Sequence, residues 1–190
     1  MTTREAITAL ARQIKDELMI CTTGYTCRDV QAACDRPGNF YMIGSMGLAA
    51  SMGLGIALVK PKTTVVVFDG DGAVLMGLGN LAMAGALKPR NFVHAAFDNE
   101  VFASTGRQPT YSKSVSLEAV AAAAGYPVVR RAQTPEEITA GWGQICARLA
   151  GGGGPAFFLI KCEPDPGPPM ERIRMGPEAI TTRFMEAVGT

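Results

Sequence analysis

The sequence predicts an α/β protein, a parallel sheet with helices on both faces. Three observations carry that expectation. Apolar residues make up 47% of the 190-residue chain and charged residues only 18%, enough to bury a central sheet. The run Thr63 to Phe68 (TTVVVF) stays apolar or β-branched at every position, as a strand covered on both faces must. Short strand-like runs alternate with helical segments along the whole chain, the pattern of right-handed βαβ units. There is no internal repeat, so residues 1–190 read as one domain.

Thr2 or Thr3 can cap a first helix running to about Glu17, with Ala6, Ile7, Leu10, Ala11 and Ile14 on one face. Leu18 to Cys21 reads as a strand, ended by Thr22-Thr23-Gly24. A helix is expected over Cys27 to Ala33, then a Pro/Gly loop at Asp35 to Asn39. Phe40 to Ile43 reads as a strand. Gly44-Ser45-Met46-Gly47 opens an apolar helix ending near Val59. The Thr63–Phe68 strand ends at Gly70-Asp71-Gly72. A helix follows from Leu78 to Leu87 and stops at Lys88-Pro89-Arg90. Phe92 to Phe97 is a buried strand ending at Asp98-Asn99. Glu100 to Ser114 has no period and many polar groups, and a loop of that length within a compact domain is often functional. Helix (Ser116–Ala124), strand (Val128–Arg130), helix (Pro135–Leu149), strand (Phe157–Lys161) and a closing helix (Pro177–Val188) complete the chain.

Composition narrows the partners. A net charge of +1 gives no field for nucleic acid. The N-terminal segment has scattered charges and no signal-peptide core, and the apolar stretch Met42 to Val59 is glycine-interrupted, which suits a soluble core better than a membrane. Five cysteines without a C-x-x-C pair read as reduced thiols in a cytoplasmic protein. His94, inside a buried strand, reads as a core histidine, and Trp142 as core or interface.

Ligands of an open parallel sheet bind beyond the carboxyl ends of its strands. Two such ends carry unusual residues, Gly70-Asp71-Gly72 and Asp98-Asn99. The glycines let the backbone approach a phosphate. Asp71 offers a carboxylate and Asn99 an amide oxygen, hard ligands that suit magnesium shared with a diphosphate. Between Gly72 and Asn99 lie 26 residues, Ala73 to Asp98. They hold one helix and one strand, which is what brings the second strand end beside the first.

GDG, 26 residues, then Asn resembles the cofactor motif of thiamine-diphosphate-dependent enzymes. The resemblance implies that Asp71 and Asn99 bind Mg2+ through their side chains and Val101 through its carbonyl. It implies further cofactor contacts from Gly44, Ser45, Met46, Gly70, Gly72, Ala73 and Phe102. Met46 matches the apolar residue that props the cofactor in its bent form. The family often has Ser or Thr where this chain has Ala73, and Asn-Asn where it has Asp98-Asn99.

Three segments carry a closer similarity, to the sulfopyruvate and phosphonopyruvate decarboxylases of that family: Asp35–Ala49, Phe68–Ala82 and Ser104–Lys113. It implies a two-subunit 2-oxoacid decarboxylase in which this chain supplies the diphosphate half. The activating glutamate is then expected on a pyrimidine-domain α subunit, with no catalytic residue here and a homodimer of this chain inside the assembly. Ser104, Thr105, Arg107 and Lys113 are candidates for the substrate side, against solvated loop charges or interface contacts. The other readings are another lyase or carboligase subunit and a non-catalytic binding or scaffold protein.

Overall fold

The computed structural model describes residues 1–189. Its elements in chain order are α1 (Thr3–Ala11), β1 (Leu18–Cys21), α2 (Tyr25–Cys34), β2 (Asn39–Tyr41), α3 (Ala49–Val59), β3 (Val65–Gly70), α4 (Asp71–Met76), α5 (Gly79–Leu87), β4 (Phe92–Asp98), α6 (Leu117–Ala124), β5 (Val128–Ala132), α7 (Pro135–Ala150), β6 (Ala156–Lys161) and α8 (Pro177–Val188). The six strands form one parallel sheet in the order β2-β1-β3-β4-β6-β5. That is the predicted class. Every residue of β4 is buried, as the central position demands.

Side-chain alternation sorts the core into two layers. Met19, Cys21, Val66, Phe68, Val93, Ala95 and Phe158 face α1, α2 and α7. Ile20, Val65, Val67, Phe92, Ala96, Phe157 and Leu159 face α3 to α6. Trp142 lies in the first layer, 6% exposed. Phe184 of α8 packs edge-on to Phe40 of β2 at 5.4 Å, holding α8 against the sheet's rim.

Four boundaries differ most from expectation. α3 begins at Ala49, past Gly44–Gly47, where Gly47 at φ 87° keeps the chain out of the helix. The first helix stops at Ala11, because the Arg36 guanidinium takes the carbonyls of Lys15 and Glu17 and bends the chain into β1. Ile14 stays buried all the same. β2 ends at Tyr41, so Ile43 is left 62% exposed. The glycine-flanked Asp71 opens a six-residue helix, α4, where the sequence reads as a turn. Glycine's low helix propensity hides so short an element.

No helix among the described residues is long and apolar enough to cross a membrane. All five cysteines are free thiols. Burial pushes Cys27 up to about 11 and Cys162 up to about 12, which keeps them protonated and unreactive near neutrality.

Candidate metal and cofactor site

From β1 the chain adds β2 on one side and β3 on the other. The connections leaving the carboxyl ends of β1 and β3 therefore part, and a cleft opens between them. Thr22 and Thr23 line it from the end of β1, Gly70 to Ala73 from the end of β3, and Asn99, Val101 and Phe102 from beyond β4. Met46, Ser104 and Thr105 complete the wall.

Local backbone chemistry sets this shape. No side chain caps α4, so its first-turn N–H groups lack side-chain partners at the cleft. A Cβ on Gly72 would enter the ring of Phe102, so that position cannot carry a side chain, while the space around Gly70 is open. Gly77, which ends α4, packs directly on the carbonyl of Gly47, and Asn80 Nδ2 donates to the same carbonyl at 3.0 Å. Gly47 has φ 87°, a conformation glycine adopts without strain. This contact brings Met46 to the cleft.

Asp71 is only 2% exposed. Its Oδ2 accepts from the Thr110 hydroxyl in a very short contact and lies 3.1 Å from Ser112 Oγ. Burial pushes its carboxyl up to about 6; the Thr110 bond works against that, and the Asp98 charge adds to it. Ser112 Oγ also lies 2.8 Å from Asp98 Oδ1. Lys161 Nζ bonds Asp98 Oδ2 at 2.8 Å and Glu100 at 2.7 Å. Burial disfavours the Lys161 ammonium, but these two carboxylates more than offset it and raise its pKa. Asn99 is held from the other side: its Nδ2 donates to Thr3 Oγ1 at 3.0 Å, and its Oδ1 accepts from Val101 N–H at 3.1 Å. Thr3 is itself fixed by its N–H to Glu163 O at 2.8 Å.

Asp71, Asn99 and the Val101 carbonyl make a set of hard oxygen donors on adjoining strand ends. Among the described residues no group of three or more His, Cys, Asp or Glu could hold a metal. A cation here must share its ligands with an amide, a carbonyl and a bound anion, which is how Mg2+ binds with diphosphate. The donor set, the uncapped helix start and the bare Gly70–Gly72 backbone fit such a pair.

Some expected residues lie elsewhere. Gly44 and Ser45 line a hollow against α8, with Phe40 and Ile180. Arg107 and Lys113 line a hollow next to the cleft; Arg107 donates to Asp165 O at 2.6 Å and Lys113 pairs with Glu100 at 3.0 Å. His94 is buried as expected, its Nε2 3.0 Å from Asp69 Oδ2. Thr110, Ser112 and Lys161 carry no site role in the sequence, and Thr3 reads there only as a possible helix cap, a place the structure gives to Thr2. Only Thr22-Thr23, at a strand end, carried a readable positional signal.

The profile of the thiamine pyrophosphate enzyme C-terminal TPP-binding domain matches residues 22–158, most of the chain and both walls of the cleft. The chain belongs to the thiamine-pyrophosphate enzymes. Phosphonopyruvate decarboxylase of Streptomyces viridochromogenes is 40% identical over 181 residues, 95% of this chain and 44% of that protein. Sulfopyruvate decarboxylase subunit beta of Methanothermobacter thermautotrophicus is 45% identical over 126 residues, 66% of this chain and 68% of that subunit. Among solved thiamine-pyrophosphate enzymes, a putative thiamin diphosphate-dependent enzyme from Mycobacterium smegmatis superposes with a TM-score of 0.72 at 19% identity, over 87% of this chain and 32% of that one. The chain thus spans less than half of the phosphonopyruvate decarboxylases it matches.

Proposed function

We propose that residues 1–190 act as one diphosphate-binding domain that holds thiamine diphosphate and Mg2+ in a cytoplasmic 2-oxoacid decarboxylase. The observation that carries this reading is the meeting of Asp71 and Asn99 at the ends of adjacent strands, in one cleft with Gly70–Ala73 and Met46. Asp71, Asn99 and the Val101 carbonyl would hold the cation. The α4 amides would receive the diphosphate, and Met46 would lie beneath the body of the cofactor. When bound, the cofactor supplies the electron sink that decarboxylation of a 2-oxoacid needs. The residues of this chain would anchor, bend and shield it.

The substrate is assigned to sulfopyruvate, giving sulfoacetaldehyde and CO2, with phosphonopyruvate as the alternative. Relatives named for each substrate support both. Ser104 and Thr105, which line the cleft, are the nearer candidates for the substrate side; Arg107 and Lys113 occupy its rim.

The pyrimidine half of the site, with its activating glutamate, is assigned to a separate α subunit, and this chain to a homodimer within that assembly. Two observations support this. Relatives carry subunit-beta names. Large apolar side chains also stand exposed along α3 to α5: Leu48 54%, Val59 74%, Met76 65% and Met83 54%.

The test is calorimetric titration of thiamine diphosphate with Mg2+ into the chain, alone and with the candidate α subunit, followed by CO2 release from both acids. Binding that tightens with the partner, and turnover only by the pair, is expected. No binding in either case rules the reading out.

A further inference from the structure

Two carboxylates lie buried at the carboxyl ends of β3 and β4, Asp71 at 2% and Asp98 at 3% exposure. Only one of them has a cationic partner. Lys161 reaches Asp98 Oδ2 at 2.8 Å, and no lysine or arginine among the described residues pairs with Asp71. The half-buried Lys161 ammonium thus neutralises the carboxylate next to the cation site, and the Asp71 charge is left for a cation.

Ser112 joins the two. Its Oγ lies 2.8 Å from Asp98 Oδ1 and 3.1 Å from Asp71 Oδ2, and Thr110 bonds that same Asp71 oxygen. Thr110 donates to Oδ2, and Ser112, whose single proton serves one carboxylate at a time, stands against the same oxygen, so the two hydroxyls limit the rotation of the Asp71 carboxylate. The loop is strained to deliver them. Glu100 (φ 65°) and Tyr111 (φ 68°) both hold left-handed backbone that non-glycine residues seldom adopt. Tyr111 gains no burial from this, being 69% exposed, whereas its neighbours Thr110 and Ser112 are 3% and 7% exposed. The turn serves the hydroxyls.

We infer that Ser112, seated by the Asp98–Lys161 pair, is a positioning residue that orients the Asp71 carboxylate for a divalent cation. The inference rests on the cofactor reading above. Groups of this kind set metal affinity through the geometry of the ligand they hold, with effects of about 10- to 100-fold.

The test uses Mn2+ as a paramagnetic probe. It is titrated, with thiamine diphosphate present, into the full chain purified in the assembly it forms, and free Mn2+ is followed by electron paramagnetic resonance. Ser112→Ala is expected to weaken Mn2+ binding at least tenfold, and Ser112→Thr, which keeps the hydroxyl, to restore most of it. Lys161→Met separates positioning from charge. Loss of a nearby positive charge by itself tightens cation binding, whereas loss of the seat for Ser112 weakens it, and weakening is expected. Wild-type affinity in Ser112→Ala, or tighter binding in Lys161→Met, overturns the positioning role while the cofactor reading stands. A wild-type chain that takes up no Mn2+ overturns both.

Discussion

Asp71 and Asn99 are built differently although they end neighbouring strands. Asp71 is a buried charge held by two hydroxyls; Asn99 is a neutral amide whose nitrogen is tied to Thr3. Asp71→Ala removes the one anionic group of the proposed cation site, so Mg2+-dependent binding of thiamine diphosphate is expected to fall more than about 100-fold by calorimetry, since the neutral oxygens left cannot offset the dehydration of magnesium. Met46, which lines the same cleft, is proposed for a different job. Met46→Ala is expected to lower kcat roughly 10- to 100-fold through misplacement of the reacting centre, with the affinity for the diphosphate end little changed. Equal turnover in that variant would reduce Met46 to ordinary packing. That Asp71 and Asn99 end neighbouring strands was legible because the spacing between two strand ends is a one-dimensional quantity; Val101 came only from the family resemblance. Thr110 and Ser112 were not legible, since a polar loop has no period and its return to Asp71 is decided in three dimensions.

At the scale of elements, close backbone contacts decide the packing. Gly85 of α5 lies against the carbonyl of Ala124 at the end of α6, so close that a Cβ would overlap that oxygen. Gly85→Ala is therefore expected to cost about 1–3 kcal/mol by forcing the two helices apart, read as a lower midpoint in urea. Pairs of this kind cannot be read from a sequence, because a glycine inside a helical run announces only a weak helix. The strands were easier. β1 has its expected bounds, Leu18–Cys21, since four consecutive buried apolar residues leave little choice of register. The first helix ends short of its apolar stripe: Ile14 continues the stripe although the backbone has already left the helix and turns towards Arg36.

On the scale of the whole molecule, α8 is joined to the rim strand by polar contacts beyond its apolar ones. Arg183 holds Asp35 through two bonds of 3.0 Å and stacks over Tyr41, whose hydroxyl donates to Asp35 at 2.8 Å. Burial alone would raise the Asp35 carboxyl, but the Arg183 and Tyr41 bonds more than offset it and hold it below its ordinary value. A lowered folded pKa contributes stability above the unfolded value of about 4, and that contribution disappears as pH falls through the folded one. The difference in Tm between wild type and Arg183→Met is thus expected to be largest near neutrality and to shrink below about pH 4. A difference that grows on acidification would contradict the assignment.

The chain contains one histidine, and the fold has put it where an observer would want it. His94 is buried in the seam between β3 and β4, bonded to Asp69, two positions before Asp71 and on the strand that ends at Asp98. Its imidazole signals in a proton–nitrogen spectrum of the nitrogen-15-labelled protein therefore belong to one residue. Because the ring is enclosed by Phe92 and Phe157 at 6.2 and 5.5 Å, ring currents make those signals sensitive to small displacements of either strand. A native spectroscopic beacon thus sits behind the cleft, able to register ligand arrival, subunit docking and loosening of the seam within a single experiment.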